Sequence, residues 1–427
     1  MPSCGAPRKP KRAPREPNCL LEPNLMTPNT VTRGGRTDVL FYVQHLLGIG
    51  HQKRAATLAR AMERQGLKVT FVSGGMPVPG LNTGSANFVQ LPPLRAEDIH
   101  FRRLVNDQGL EADEAFKSAR RDQLLALYEA VRPRALLIEM FPFGRRQMRF
   151  ELRPLLDAAR KAEPRPLILS SVRDILVEPP KPERIAEMID WIKRVFDHAL
   201  VHGDPNLIPF DETFPPLTEI ADQVVYTGYV VDESVDQPPH PQDGRDEILV
   251  STGGGAVSEA LVTAALAASR ELPDSLARLH GLRWRILIGH SLPEMQFQAF
   301  QAQAPSHVTV ERARPDFTSL LPNCRLSISQ GGYNTVMEVL RAGCPRVVVP
   351  YSGGLETEQT LRARLLAERG ALTLLEEQNL TAESLLQAVG AEFARSGASK
   401  LNLDTDGSDN TAIRIQVLLS RHEGDRA

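Results

Sequence analysis

Apolar residues in this chain fall into short runs separated by stretches of helical length. The first run, Asp38–Gln44 (DVLFYVQ), is rich in β-formers and ends in a loop holding Gly48 and Gly50. Ala55, Leu58, Ala59 and Met62 then recur at i, i+3, i+4 and i+7, the stripe of an amphipathic helix that Gly66 ends. Lys68–Ser73 (KVTFVS) reads as the next strand, and the series continues through Ala135–Met140, Leu167–Ser171, Ala199–His202 and Gln223–Tyr226. Residues 231–246 (VDESVDQPPHPQDGRD) break the rhythm with Pro and Asp, as a linker does. The runs Glu247–Ser251, Trp284–Gly289, Val308–Val310, Leu326–Ser329 and Arg346–Pro350 restart it. Strands alternating with helices predict parallel βαβ units, hence an α/β chain of two doubly wound domains. The expected division is 36–230, the linker 231–246, 247–400, and a closing loop and helix over 401–427. The helical stretch near Thr411–Ser420 fits either domain.

Composition narrows the class. The chain of 427 residues is 42% hydrophobic and 24% charged, an ordinary globular balance. Its formal net charge of −2 supplies no field for bulk nucleic-acid binding. Cys4, Cys19, Cys324 and Cys344 show neither metal-ligand spacing nor a disulfide framework, which fits a reducing, cytoplasmic setting. No apolar run approaches the roughly 18–20 residues of a membrane span. Residues 1–35 carry Arg8, Lys9, Lys11, Arg12 and Arg15 between prolines and read as a disordered basic tail rather than a secretory signal. Such a tail suits either an anionic surface or plain solvation, so a peripheral contact at the inner face of a membrane stays open.

In open parallel sheets ligands bind beyond the carboxyl ends of the strands, so the loops there carry the chemistry. The richest is Gln330-Gly331-Gly332-Tyr333-Asn334-Thr335, between a strand and a helix that holds Glu338. Glycines at a helix N-terminus let backbone N–H groups approach an anion. Glu338 could accept hydrogen bonds from ribose hydroxyls; Thr335-x-x-Glu338 is equally a capping box. A second loop, Tyr351 to Gln359, opens another helix with polar residues suited to a sugar or to the helix dipole. Ser251-Thr252-Gly253-Gly254-Gly255-Ala256 is a third Gly-rich turn. In the first half, Gly48-Ile49-Gly50-His51 presents a histidine with a pKa near neutrality, fit for a general base or for capping a helix. Asp404–Asp406 forms an Asp-x-Asp, but in a polar stretch with no strand before it, so no metal site is expected there.

The order strand, Ser-x-Gly-Gly-x-x-Thr, helix with Glu, Ala-Gly-x-Pro, strand, Pro, then an acidic residue and Gln resembles the donor site of glycosyltransferases related to the bacterial lipid II-forming N-acetylglucosaminyltransferase. The resemblance spans roughly residues 250–370, with a weaker echo at 38–75. It implies two Rossmann-like domains facing a cleft (the GT-B fold). It also implies transfer from a nucleotide-diphosphate sugar, UDP-linked by analogy, to an acceptor hydroxyl with inversion, and no metal or other cofactor. Carried over, Gly331, Gly332 and Thr335 would face the diphosphate, Glu338 the ribose, and Glu356 and Gln359 the donor sugar. Ser251, Gly253, Gly254 and Gly255 would form the Gly-rich loop at the cleft, with the base against backbone around Val310–Arg314. His51 would act as base with Glu139 to orient it, and Gly50, Arg173 and Asp174 would lie toward the acceptor; Glu139 could equally pair with Arg145, Arg146 or Arg149, and Arg173 with Asp174 could be an ordinary ion pair. The first loop, HLLGIGH followed by Gln-Lys-Arg-Ala, departs from the family pattern, which leaves a small molecule, a glycan or a lipid-linked group as acceptor. A non-hydrolysing nucleotide-sugar 2-epimerase and a non-catalytic nucleotide-sugar-binding protein remain alternatives on the same scaffold.

Overall fold

Short apolar strands buried on both faces dictate a parallel sheet, because each face needs helices to cover it. The computed structural model, which describes residues 36–98, 103–176, 181–232, 242, 244–253, 259–314, 316–353, 358–395 and 403–424, has two such sheets. In the first, β1 (Val39–Val43), β2 (Val69–Ser73), β3 (Asn87–Gln90), β4 (Ala135–Glu139), β5 (Leu167–Arg173), β6 (His198–His202) and β7 (Val224–Tyr226) are ordered β3-β2-β1-β4-β5-β6-β7, all parallel. In the second, β8 (Glu247–Ser251), β9 (Arg283–Ile288), β10 (Val308–Arg312), β11 (Leu326–Gln330), β12 (Arg346–Val349) and β13 (Thr373–Leu374) are ordered β10-β9-β8-β11-β12-β13, again parallel.

Both orders reverse direction next to their first strand. The crevice at such a switch point lies between β1 and β4 in one half and between β8 and β11 in the other, where open α/β sheets bind ligands. Of the loops singled out from the sequence, those at Gly48–His51, Ser251 and Gln330–Thr335 follow β1, β8 and β11, while the one opening at Tyr351 follows β12.

Each sheet carries apolar clusters on its two faces, among them Leu40, Tyr42 and Ile138 opposite Val39, Phe41 and Leu137. A further cluster belongs to both halves: Ile175, Leu207, Ile208, Tyr229 and Val231 pack with Tyr333, Val336, Met337 and Leu340. The two sheets are therefore joined by shared core rather than by a tether alone.

The final helix, Gly407–Gly424, settles its placement on the first sheet, with Ala412, Ile415 and Leu419 in the same cluster as Leu58 and Met62. The chain thus crosses between halves a second time beside the first crossing. Val230 and Asp406 form an antiparallel bridge there, and the Tyr229 N–H donates to the Asp404 carbonyl at 2.8 Å. The Asp-x-Asp of this stretch is spent locally, since Asp404 accepts from the Asp406 N–H at 3.1 Å. The basic tail and most of the 231–246 segment lie outside the described residues.

At that crossing Gly407 lies so close to the neighbouring backbone that a Cβ would sit 2.3 Å from the Gly228 carbonyl oxygen. Gly407→Ala is expected to lower unfolding free energy by about 1–3 kcal/mol, the range for overpacking. Gly390, inside the Ala382–Arg395 helix, meets nothing closer than Leu276 at 3.9 Å, so Gly390→Ala should raise it by about 0.5–1 kcal/mol. Urea denaturation of the two variants checks both signs.

Candidate active site

The Gly50–Arg64 helix opens directly after the β1 loop, with Ile49 as an N-cap that offers no side-chain hydrogen bond. Gly50 is exposed at its first position, and His51 follows, facing the end of β4. His51 Nδ1 lies 3.0 Å from Oε1 of Glu139, whose side chain is fully buried. The other ring nitrogen, Nε2, lies 3.2 Å from Nη2 of Arg173 at the end of β5. A guanidinium only donates, so Nε2 must be the acceptor and Nδ1 carries the proton toward Glu139. His51 is therefore a neutral imidazole, oriented by a carboxylate, with its lone pair toward Arg173.

Glu139 is a hub. Arg54, one turn along the same helix as His51, forms an ion pair with it, and the Ser171 hydroxyl donates to its Oε2 at 2.6 Å. Ser171 in turn lies 2.9 Å from Nε2 of His202, which burial and then the charge of Arg54 push down to about 3. Burial, followed by the charges of Arg173, Arg145 and Arg54, likewise drives His51 well below its ordinary 6.5, with Glu358 opposing.

Arg173 reaches across to the second half, where its Nη1 is 2.6 Å from Glu358 at the start of the Glu358–Glu368 helix. Arg362, one turn later, bonds both Glu358 at 2.7 Å and Asp174 at 2.9 Å. Burial works against the charge on Glu358, yet Arg173 and Arg362 outweigh it and hold the carboxyl down to about 2. Asp174, expected toward the acceptor, is instead wholly buried and clamped by Arg362. Its two oxygens are committed to an ion pair between the halves.

The Tyr333–Ala342 helix begins directly after Gly331 and Gly332, with Gly332 as N-cap and no side-chain cap. Thr335 is thus already inside the first turn, so Thr335 and Glu338 cannot form a capping box. The uncapped N–H groups of that turn and the helix dipole face an end that favours an anion. A Cβ on Gly331 would lie 3.0 Å from Pro350 and 3.2 Å from Gln359, which is why the chain needs glycine there. Gln359 Oε1 accepts from the Tyr351 N–H at 3.3 Å. On the adjacent strand Ser251 Oγ accepts from the Gly253 N–H at 3.3 Å; a Cβ on Gly253, at φ +67°, would lie 3.8 Å from Thr335 Oγ1. Glu338 makes no hydrogen bond among the described residues; burial and then Asp232 push it up to about 7 against Lys53. Gly254, Gly255 and Glu356 lie outside the described residues.

Glu358 and Tyr333 escaped the sequence reading. Tyr333 lies beneath the Arg54 and Arg362 guanidinium groups at 5.7 and 5.0 Å from its ring centroid. The signal for Glu358 was its adjacency to Gln359, whereas Glu356 was preferred. Among the described residues no trio of His, Cys, Asp or Glu stands ready to hold a metal, and no helix is long and apolar enough to cross a membrane.

Residues 248–405 match the glycosyltransferase family 28 C-terminal domain. The second half of this chain is thus similar to that domain over 158 of the chain's 427 residues. The UDP-N-acetylglucosamine–N-acetylmuramyl-(pentapeptide) pyrophosphoryl-undecaprenol N-acetylglucosamine transferase of Nitrosomonas eutropha is 30% identical over 180 residues, 40% of this chain and 48% of that protein. The protein of the same name from an Exiguobacterium species is 32% identical over 198 residues, 44% of this chain and 52% of that one. The chain thus spans about half the length of these curated relatives. Solved structures extend the likeness to the whole fold. Acinetobacter baumannii MurG aligns with a TM-score of 0.54 at 19% identity, covering 89% of this chain and 99% of that one. LpCGTa in complex with UDP aligns with a TM-score of 0.58 at 17% identity, covering 90% and 99%. The calicheamicin glycosyltransferase CalG4 gives 0.55 at 18%, covering 91% and 95%. The fold is GT-B, two doubly wound domains in one chain.

Because Arg173 is the largest charge depressing His51, Arg173→Met should raise the His51 pKa toward 6.5. NMR titration of the His51 ring protons reads this. The wild-type ring should stay neutral as pH falls through 6.5, and the variant should protonate at a higher pH than wild type.

Proposed function

We propose that this protein transfers a glycosyl group from a nucleoside-diphosphate sugar to an acceptor hydroxyl, with inversion at the anomeric carbon. The observation that carries the reading is the neutral His51–Glu139 pair at one switch point, facing an uncapped Gly-rich helix start at the other. His51 Nε2 takes the proton from the acceptor hydroxyl as that oxygen attacks, once the hydroxyl displaces Arg173 from the lone pair. Glu139 holds the ring through Nδ1 and stabilises the imidazolium. Negative charge growing on the leaving nucleoside diphosphate meets the N–H groups of Gly332 to Thr335 and the helix dipole. Glu338, without a hydrogen-bond partner among the described residues, accepts from the ribose hydroxyls, and Gln359, with Glu356, lies toward the donor sugar. A UDP-linked donor is supported by the UDP in the LpCGTa complex and by the names of the curated relatives.

A catalytic dyad in the half opposite the donor domain supports transfer over 2-epimerisation, which needs no acceptor base. Leu47 and Ile49, 40% and 36% exposed beside His51, support an acceptor with an apolar part, reached from a peripheral contact with a membrane. The free thiols of Cys324 and Cys344 support a reducing, cytoplasmic setting.

His51→Ala should cut turnover by about 10²–10⁴-fold, the worth of general-base catalysis, while nucleoside-diphosphate affinity stays at the wild-type value. Steady-state release of UDP from UDP-sugars with cell extract as acceptor, paired with calorimetric UDP binding, gives both readouts. Wild-type turnover in His51→Ala would remove the residue from the mechanism. Glu338→Ala should weaken UDP binding by about 1–3 kcal/mol, the cost of unpaired hydroxyls, without lowering the melting temperature. Unchanged calorimetric affinity would remove Glu338 from the ribose site.

A further inference from the structure

Charge in the buried cluster does not balance. Glu139 is met by Arg54 and His51, Glu358 by Arg173 and Arg362, and Asp174 by Arg362. Arg145, on the loop after β4, stands beside them with no carboxylate. Its Nε donates to the Gln44 carbonyl at 2.6 Å, which pins the side chain against the β1 loop. Its Nη1 and Nη2 have no partner among the described residues and are not sealed from solvent. Burial pushes Arg145 down to about 10; Glu139 and Tyr42 favour its charge, while Arg173 and Arg54 oppose it. Its charge is felt by His51 and by His45, on the side of the cleft where the acceptor hydroxyl is deprotonated. A partly buried cation held among other cations gains from a counter-ion. The backbone that presents it sits at φ 60° and ψ 32°, a left-handed conformation that a residue with a Cβ rarely adopts.

We infer that Arg145 receives an anionic group of the acceptor, a carboxylate or phosphate carried on the same ring as the hydroxyl that His51 activates. The inference rests on the reading of His51 as facing an acceptor. The planar fork of a guanidinium pairs with either anion through two parallel hydrogen bonds. The donor diphosphate does not need this arginine, because it has the uncapped helix start at Tyr333 across the cleft. Bound there, the anion also offsets the arginine charge that depresses His51, so the correct acceptor strengthens its own base.

The test uses the full chain without donor and three probes: D-glucuronate, D-glucose 6-phosphate and D-glucose. Calorimetry should show wild type binding one of the two anions at least tenfold more tightly than glucose, and the winner distinguishes carboxylate from phosphate. Arg145→Asn, which removes the charge and tolerates the left-handed backbone, should erase that preference, and Arg145→Lys should keep part of it. Absence of any anion preference in wild type overturns the inference. So does a preference unchanged in Arg145→Asn at an unaltered melting temperature, or displacement of the anion by UDP. UDP binding measured on the same samples keeps the two readings apart. Failure of wild type to bind UDP sinks the transferase reading, whereas loss of the anion preference alone sinks only the role of Arg145.

Discussion

Arg362 sits between Asp174 and Glu358 with no access to water, and much of the cleft follows from that placement. Three buried charges in contact are tolerable only when each satisfies the others, so the end of β5 and the start of the Glu358–Glu368 helix are held at one spacing. That spacing lets Arg173, the neighbour of Asp174, reach Glu358 with one nitrogen and His51 with the other. Orientation of the imidazole thus depends on an ion cluster whose members come from both halves. Tyr333 ties the Tyr333–Ala342 helix into the same cluster through its ring, under Arg54 and Arg362.

The resting arrangement has a chemical cost and a chemical use. A lone pair occupied by a guanidinium cannot take a proton, so His51 accepts one only where Arg173 is displaced from Nε2. Depressed basicity keeps the ring neutral, but it also makes Nε2 a weaker proton acceptor. Any ligand group that offsets the surrounding arginines restores part of that strength at the moment of use.

The architecture was legible because parallel strands are nearly solid apolar runs. Asp38–Gln44 and Leu326–Ser329 announce themselves, and their order follows from the helices between them. The edge strands did not. Asn87–Gln90 is half exposed and polar, and Thr373–Leu374 is too short to carry a pattern. In the site, His51 and Glu139 could be paired by their position after β1 and β4, but Asp174 and Glu358 could not. Ion pairs between distant segments leave no spacing signal, so Asp174 looked like an acceptor ligand when its partner was Arg362. The capping-box alternative for Thr335 failed for a local reason: Gly332 starts the helix, one turn of chain earlier than that box requires.

The return of the last helix to the first sheet has a consequence for biosynthesis. The face formed by Leu58, Met62 and their neighbours is completed by Ala412, Ile415 and Leu419, which are made after the whole second sheet. Until residue 419 is made, the first sheet lacks part of the cover on that apolar flank. Domains usually mature in the order they are made. Here that order is reversed for the first sheet, and a nascent chain stalled before residue 407 displays a sticky surface that chaperones would have to shield.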